Sequence, residues 1–349
     1  MTTSDAKSPG SDEKSARAAN IFDVARLAGV SHQTVSRVLN NVPSVRPATR
    51  ERVEQAIAQL RYSPSPAARA LVTKRSRTIG LITPGTYEYG PTSTAVNFNV
   101  AARAARFSVD TVSSLDSDPP GVRSIIESLL RQRVDAIVLV VTDIQVLDIV
   151  LGLDLGIPIV IVAASTRRNS SVISIDQYRG ARTAVRHLVE LGHDRIFHLG
   201  GPQLAPDSIE RVRGWRDEMT ANRLVVHEVL HGDWSARSGY ELGMRMTDIE
   251  PGSAVFAAND YLALGLISAL HERGLRVPED VSIVGFDDVP EAGYLMPPLT
   301  TIRQDFASLG ALIMQKVLIA MEEPDNVSES TPLPTSLIVR DSTRRVERS

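Results

Sequence analysis

Gln33, Ser36, Arg37 and Asn40 are spaced to share one side of a helix, while Val35, Val38 and Leu39 share the other. Most amphipathic helices simply pack a core, but this outward face carries residue types that read base-pair edges. Gln and Arg pair bidentately with bases, and Ser and Asn make single bonds. A second group lies far along the chain. Asn259, Asp260, Asp287 and Asp288 close the runs AVFAAND (254–260) and VSIVGFDD (281–288), and open α/β sheets bind ligands beyond the carboxyl ends of their strands. A third pattern does not support its usual chemistry. His227-Glu228-Val229-Leu230-His231 matches H-E-x-x-H, but zinc ligation needs that motif on a helix. LVVHEVLHG reads as a strand ending at Gly232, which would hold the two histidines about 13 Å apart. Asp287 and Asp288, as strand neighbours, face opposite ways and make a poor acid–base pair. With no nucleophile elbow, G-x-G-x-x-G or phosphate loop, the expected function is not enzymatic, and a Rossmann-like enzyme is a distant alternative.

The elements that must position these residues follow from pattern. Asn20 and Asp23 form a capping pair, Val24, Leu27 and Ala28 repeat at helical spacing, Gly29 allows a tight turn, and Ser31 caps the next helix. Two short helices about a glycine turn predict a helix-turn-helix unit. A third helix is predicted over 47–60, with proline in its first turn and Val53, Ala56, Ile57 and Leu60 on one face. Tyr62-Ser63-Pro64-Ser65-Pro66 then breaks the chain, and 67–73 is too short to be a stable helix alone. From Thr78 onward, short β-branched runs alternate with helical stretches, which implies parallel sheets with helices on both faces. A body of about 270 residues suits two lobes with a cleft better than one sheet.

Charge separates these parts. From Arg17 to Arg77 eleven basic residues face three acidic ones, inside a 349-residue chain whose net charge is −3. A basic module on an acidic body is the footprint of a nucleic-acid binder, and it argues against a sensor that has lost its DNA role. The chain has no cysteine and no long uncharged apolar run, so thiolate metal sites, disulfides and a membrane span are not expected. Residues 1–19 are polar, lack a secretory apolar core and read as a disordered leader in a cytoplasmic protein.

DVARLAGVSHQTVSRVLN, YSPSPAARAL, RVRGW, GDWSARSGY, AANDYLALG, GFDD and PPLTTIRQDF occur in an order that resembles the lactose-repressor family of bacterial transcription regulators, near its lactose-repressor subgroup. The resemblance runs from Ile21 to about Arg340. It implies an N-terminal all-α helix-turn-helix head plus an α/β two-lobed core resembling a periplasmic binding protein. The expected layout is a head over 20–63, a hinge helix and linker over 64–77, a core over 78–341 and a short tail over 342–349. By resemblance, His32, Gln33 and Arg37 read major-groove bases, with Arg37 set for guanine, and Thr34, Ser36, Asn40 and Arg50 contact or support the phosphate backbone. Leu71 matches a leucine that wedges into the minor groove, with Ala68 and Lys74 beside it. Tyr89, Pro91, Arg211, Trp234, Asn259, Tyr261, Asp287, Gln304 and Phe306 match the effector cleft. There an indole face stacks on a pyranose and polar groups serve its hydroxyls. Arg211 and Asp287 could instead form a structural ion pair, and Trp234 a core residue.

His32, Ala163 and Tyr261, with Glu88 and Tyr89 in PGTYEYGPTS, depart from the lactose-repressor pattern, so operator and sugar are expected to differ. STRRVERS carries no leucine heptad, which predicts a homodimer without a tetramerising tail. The resemblance implies a repressor of carbohydrate-utilisation genes. It would bind pseudo-palindromic operator DNA, be released by a small sugar such as a galactoside, and require no cofactor. A corepressor-dependent regulator of purine or catabolite-control type is the alternative.

Overall fold

The computed structural model describes residues 19–39, 42–62, 75–85, 88–114, 119–151, 155–164, 172–323 and 330–346. The chain divides into two units, Met1–Ser76 and Arg77–Ser349.

In the first unit, Asn20 accepts from the Phe22 and Asp23 amides while Asp23 accepts from the Asn20 amide. Helix α1 (Ile21–Ala28) therefore opens on a complete capping box. It stops at Gly29, whose φ of +64° is left-handed and costs a residue without Cβ nothing. The Ser31 hydroxyl caps α2 (His32–Leu39) by accepting from the Thr34 amide at 3.2 Å. Pro47 starts α3 (Pro47–Gln59). Val24, Val35 and Val53, one from each helix, are fully buried in one cluster. Each contributes about 1.5–3 kcal/mol by leaving water. Leu27, placed on the core face by its spacing, is 46% exposed, and Ala25 takes the buried position.

The second unit contains two sheets. In the first, β1 (Thr78–Pro84), β2 (Ser108–Ser114), β3 (Ala136–Val140), β4 (Ile159–Val162) and β5 (Val172–Ile173) are all parallel, in the order β2-β1-β3-β4-β5. Helices α4 (Tyr89–Ala104), α5 (Pro119–Arg131) and α6 (Ile144–Val150) connect them. Strand β3 is buried along its whole length, as a parallel strand covered on both faces must be. Next come α7 (Gln177–Glu190), β6 (Ile196–Gly200), α8 (Pro206–Ala221), β7 (Leu230–His231), α9 (Ala236–Arg245), β8 (Ala254–Ala257), α10 (Asp260–Glu272), β9 (Ser282–Asp287), β10 (Thr300–Arg303), α11 (Phe306–Glu322) and β11 (Ser336–Ile338). The second sheet runs β11-β10-β9-β8-β6-β7, parallel except for β11. Separate apolar clusters cover its faces, one around Leu262 and Leu266 of α10, the other around Trp215 of α8 and Val185 of α7.

The chain crosses between the lobes at three places, and these position the site. It leaves the first lobe at Ile175–Gln177. It returns after Gln304, because Phe306, Leu309 and Ile313 of α11 belong to the first lobe's core. It crosses again after Leu333, which bridges Ile175 in parallel and is bonded to Ser174 and Asp176 on either side at 2.9 and 2.8 Å. Residues 342–346 continue the second lobe. Ser342 accepts from the Thr300 amide and donates to the Ile283 carbonyl, and the Val346 amide reaches Leu191 at 2.9 Å. Among the described residues no helix is long and apolar enough to cross a membrane.

Candidate functional site

On α2, Val35 and Val38 face the core while His32, Gln33 and Arg37 are exposed and Thr34 and Ser36 half-buried. The ring of Phe22 lies 5.2 Å from that of His32, so an exposed aromatic of α1 limits where the imidazole can swing. Sequence reasoning passed over Phe22, although a large apolar residue at a helix N-terminus is a visible signal. The Thr34 hydroxyl is paired with that of Ser31 at 3.0 Å, which suits a supporting role. Arg50 on α3 donates to the Val42 carbonyl at 3.2 Å and so braces the α2–α3 connection. Asn40, Ala68, Leu71 and Lys74 lie outside the described residues.

The second candidate is a cavity between the two lobes of the core, about 730 Å³ including its open mouth. Tyr89, Pro91 and Phe306 line it from the first lobe, and Arg211, Trp234, Asn259 and Asp287 from the second, with Gln304 at a crossing. Tyr261 is the exception, for it is not on the cavity wall. Helix α10 begins one residue earlier, and a helix turns each side chain about 100° from the last. Tyr261 therefore packs on the second lobe's apolar cluster.

Three of these side chains close a ring of polar contacts with Gln177, which also lines the cavity. Arg211 Nε donates to Gln177 Oε1 at 2.9 Å, Gln177 Nε2 to Gln304 Oε1 at 2.8 Å, and Gln304 Nε2 to Asp287 Oδ1 at 2.6 Å. Arg211 Nη2 stands 3.6 Å from Asp287 Oδ1 and completes the ring. A guanidinium only donates and a carboxylate only accepts, so the end groups fix the orientation of both amides. Arg211 also donates to the Ala258 carbonyl and stacks on Phe286 at 3.8 Å. The Arg211–Asp287 ion pair and its position on the cavity wall thus coexist. Gln177 was missed by sequence reasoning. A lone glutamine opening a helix has no periodic signature, and its value lies in standing at a crossing.

Trp234 lies over the backbone of Gly201, where a Cβ would collide with the indole. Its φ of +72° and the +114° of Asp287 are left-handed values that favour glycine, held here by surrounding bonds. Asn259 supplies one of those bonds. It donates to the Trp234 carbonyl at 3.0 Å and accepts from the Leu262 amide at 2.8 Å, so it anchors the loop and caps α10. The other strand-end acids are structural. Asp260 accepts from Thr301 at 2.6 Å and the Val289 amide at 2.8 Å, and Asp288 pairs with Arg303 and Arg340, each at 2.6 Å.

The cavity's electrostatics are lopsided. Burial pushes the Glu88 carboxyl up to about 7, with Asp207, Asp287 and Asp233 adding repulsion. Burial also raises Asp287 to about 6, against the opposing pull of Arg211 and Gln304. Asp207, also missed, is one helical turn before Arg211 and 3.9 Å from it, an i,i+4 pairing visible in the sequence. Burial raises its carboxyl too, while Arg211 and the amide of Ala164 in the opposite lobe hold it down. Ala163 beside that amide brings no carboxylate, so an acid enters this corner from the second lobe. His227 and His231 stand apart from the cavity. His227 stacks on Phe197 at 4.4 Å and His231 accompanies the Gly201 carbonyl at 2.6 Å, outside any helix. Only Leu230–His231 of the expected strand is paired, and the described residues hold no group of three metal-ligating side chains.

Residues 20–65 match the family model for bacterial regulatory proteins of the lacI family, and 185–343 match that for a periplasmic binding protein-like domain. The Lactose operon repressor of Escherichia coli (strain K12) is 35% identical over 328 residues, 93% of this chain and 90% of that protein. The HTH-type transcriptional repressor PurR of Haemophilus influenzae is 34% identical over 340 residues, covering 94% and 99%. A crystal structure of the lac repressor dimer bound to operator and the anti-inducer ONPF superposes with a TM-score of 0.86 at 34% identity, over 94% of this chain and all of that one.

Proposed function

This chain belongs to the lacI family of bacterial regulatory proteins, and from that premise we propose that it represses carbohydrate-utilisation genes and leaves its operator when a small sugar fills the core cavity. It is a DNA-binding transcriptional regulator with an effector-binding core, and not an enzyme. In this reading the protein works as a homodimer on a pseudo-palindromic operator, in the cytoplasm and on the nucleoid. His32, Gln33 and Arg37 read bases in the major groove. Thr34, Ser36, Asn40 and Arg50 hold the phosphate register, and Leu71, flanked by Ala68 and Lys74, wedges the minor groove.

The observation that carries the sugar-release reading is the ring of Arg211, Gln177, Gln304 and Asp287. All four of its members line the cavity, and the two glutamines stand where the chain crosses between lobes. A sugar whose hydroxyls bond Arg211 and Asp287 competes for donors and acceptors that the crossings already use. It therefore has different affinity for different lobe arrangements, which is what a population shift requires. Trp234 offers the apolar face on which a pyranose stacks. Linkage makes the coupling reciprocal, so operator must weaken the sugar by the factor by which sugar weakens operator. Sugar titrations with and without operator check this, and identical affinities in the two would overturn the scheme.

A further inference from the structure

The cavity has a charge problem that a neutral sugar leaves unsolved. Glu88, Asp207 and Asp287 line it, and Arg211 is the single cation among its lining residues. That guanidinium is already shared among Gln177, the Ala258 carbonyl, Asp287 and, at 3.9 Å, Asp207, and stands over the Phe286 ring. Glu88 sits at the N-terminus of α4 in the first lobe, Asp207 on α8 and Asp287 ending β9 line the same cavity from the second, and these two with Asp233 before α9 repel its charge. None of these acids neutralises it, and its neighbour Tyr89 is a phenol. The rest of the wall is also electron-rich. Tyr89 and Phe306 meet edge to face at 5.6 Å, and Trp234 closes the opposite side. Ring faces and carboxylates together form the surroundings that attract an ammonium group.

Resting on the sugar reading above, we propose that the effector is a sugar bearing a basic nitrogen, an amino sugar, whose ammonium is received by Glu88 and Asp207 while its ring stacks on Trp234. The ammonium donates to carboxylates that come from both lobes. It replaces mutual repulsion across the cleft with two attractive contacts, so binding of the cation itself favours the closed arrangement. Anionic sugars such as uronates and sugar phosphates are excluded by the same charges.

Isothermal titration of the full chain at pH 7 with 2-amino-2-deoxyhexoses, the parent hexoses, the N-acetyl derivatives and the hexuronates tests the assignment. An amino sugar should bind at least about tenfold more tightly than its parent and its N-acetyl form, with no uronate binding. Glu88→Gln and Asp207→Asn, each checked for a single cooperative melt, should each shrink that preference. Equal binding of parent and amino sugar, or a preference that both substitutions leave intact, overturns the proposal while the sugar reading stands. Binding by none of the sugars, with operator affinity unmoved, overturns both.

Discussion

The α2 face and the core cavity are both sites of recognition, yet they are built in opposite ways. On α2, Gln33 and Arg37 are exposed, and the fold holds only the backbone that carries them. In the cavity Arg211, Asp287 and Gln304 are nearly fully buried and hold one another. The difference follows from the partner. A DNA groove brings its own donors, acceptors and charge, so its reader needs presented side chains on a rigid helix. A small effector must be felt by a whole molecule, so its receptors are wired to the chain crossings. It follows that removing a cavity group should disturb the protein itself, whereas removing a helix-face group should disturb only the complex.

The largest effect expected is at Asp287. Asp287→Ala leaves the buried Arg211 guanidinium without its closer carboxylate, with Asp207 at 3.9 Å the remaining acid. Breaking a buried pair on one side costs about 3 kcal/mol or more. Urea unfolding of the core should show that loss, and sugar should no longer release operator DNA. Operator binding should persist where the core remains folded, since the head is a separate unit with its own apolar cluster. A variant with unchanged stability and full sugar response would erase the contrast between the two regions.

Arg37→Ala should be the mirror image. The side chain is exposed, so the melt should stay the same while affinity for the specific operator falls by about 1–3 kcal/mol and discrimination at one base relaxes. Arg50→Ala provides the control. Its bond to the Val42 carbonyl braces the connection behind α2, and its loss should weaken binding to all sequences more evenly. Equal losses on specific and random DNA for Arg37→Ala would argue against base reading.

The same contrast explains what could be read from the sequence. The capping box, the glycine turn and the two faces of α2 are local and periodic, so they were legible before any family was considered. So was the alternation of strands and helices that makes two parallel sheets. The cavity depends on residues brought together from 88 to 306, and periodicity says nothing about which ends meet. Arg211 and Trp234 came from the resemblance, whereas Asn259 and Asp287 were also marked by their places at strand ends. Gln177 had no local signature, and Tyr261, placed in the cleft by the resemblance alone, is turned from the cavity wall by the start of α10. The short β7 and the exposed Leu27 are further cases in which tertiary packing overrode a local pattern.

The smallest effect sharpens the comparison by pH. The Glu88 carboxyl sits at about 7, above its ordinary 4.5, chiefly through burial. Between those two values the folded protein binds more protons at this site than the unfolded chain. Stability from this group is therefore fully present below about pH 4.5, declines as pH rises, and is lost above about pH 7. Glu88→Gln keeps the shape and removes the titration. It should stabilise the core at pH 8 by about 1 kcal/mol, a figure held below the full linkage value because the open cavity admits screening water. At pH 4.5, where the folded carboxyl is protonated and the unfolded one half ionised, the gain should nearly vanish. Melting curves of the two proteins across this range give the difference directly. A gain that is the same at both ends would mean that Glu88 acts through packing, and the cavity would then lose the electrostatic asymmetry that sets it apart from the head.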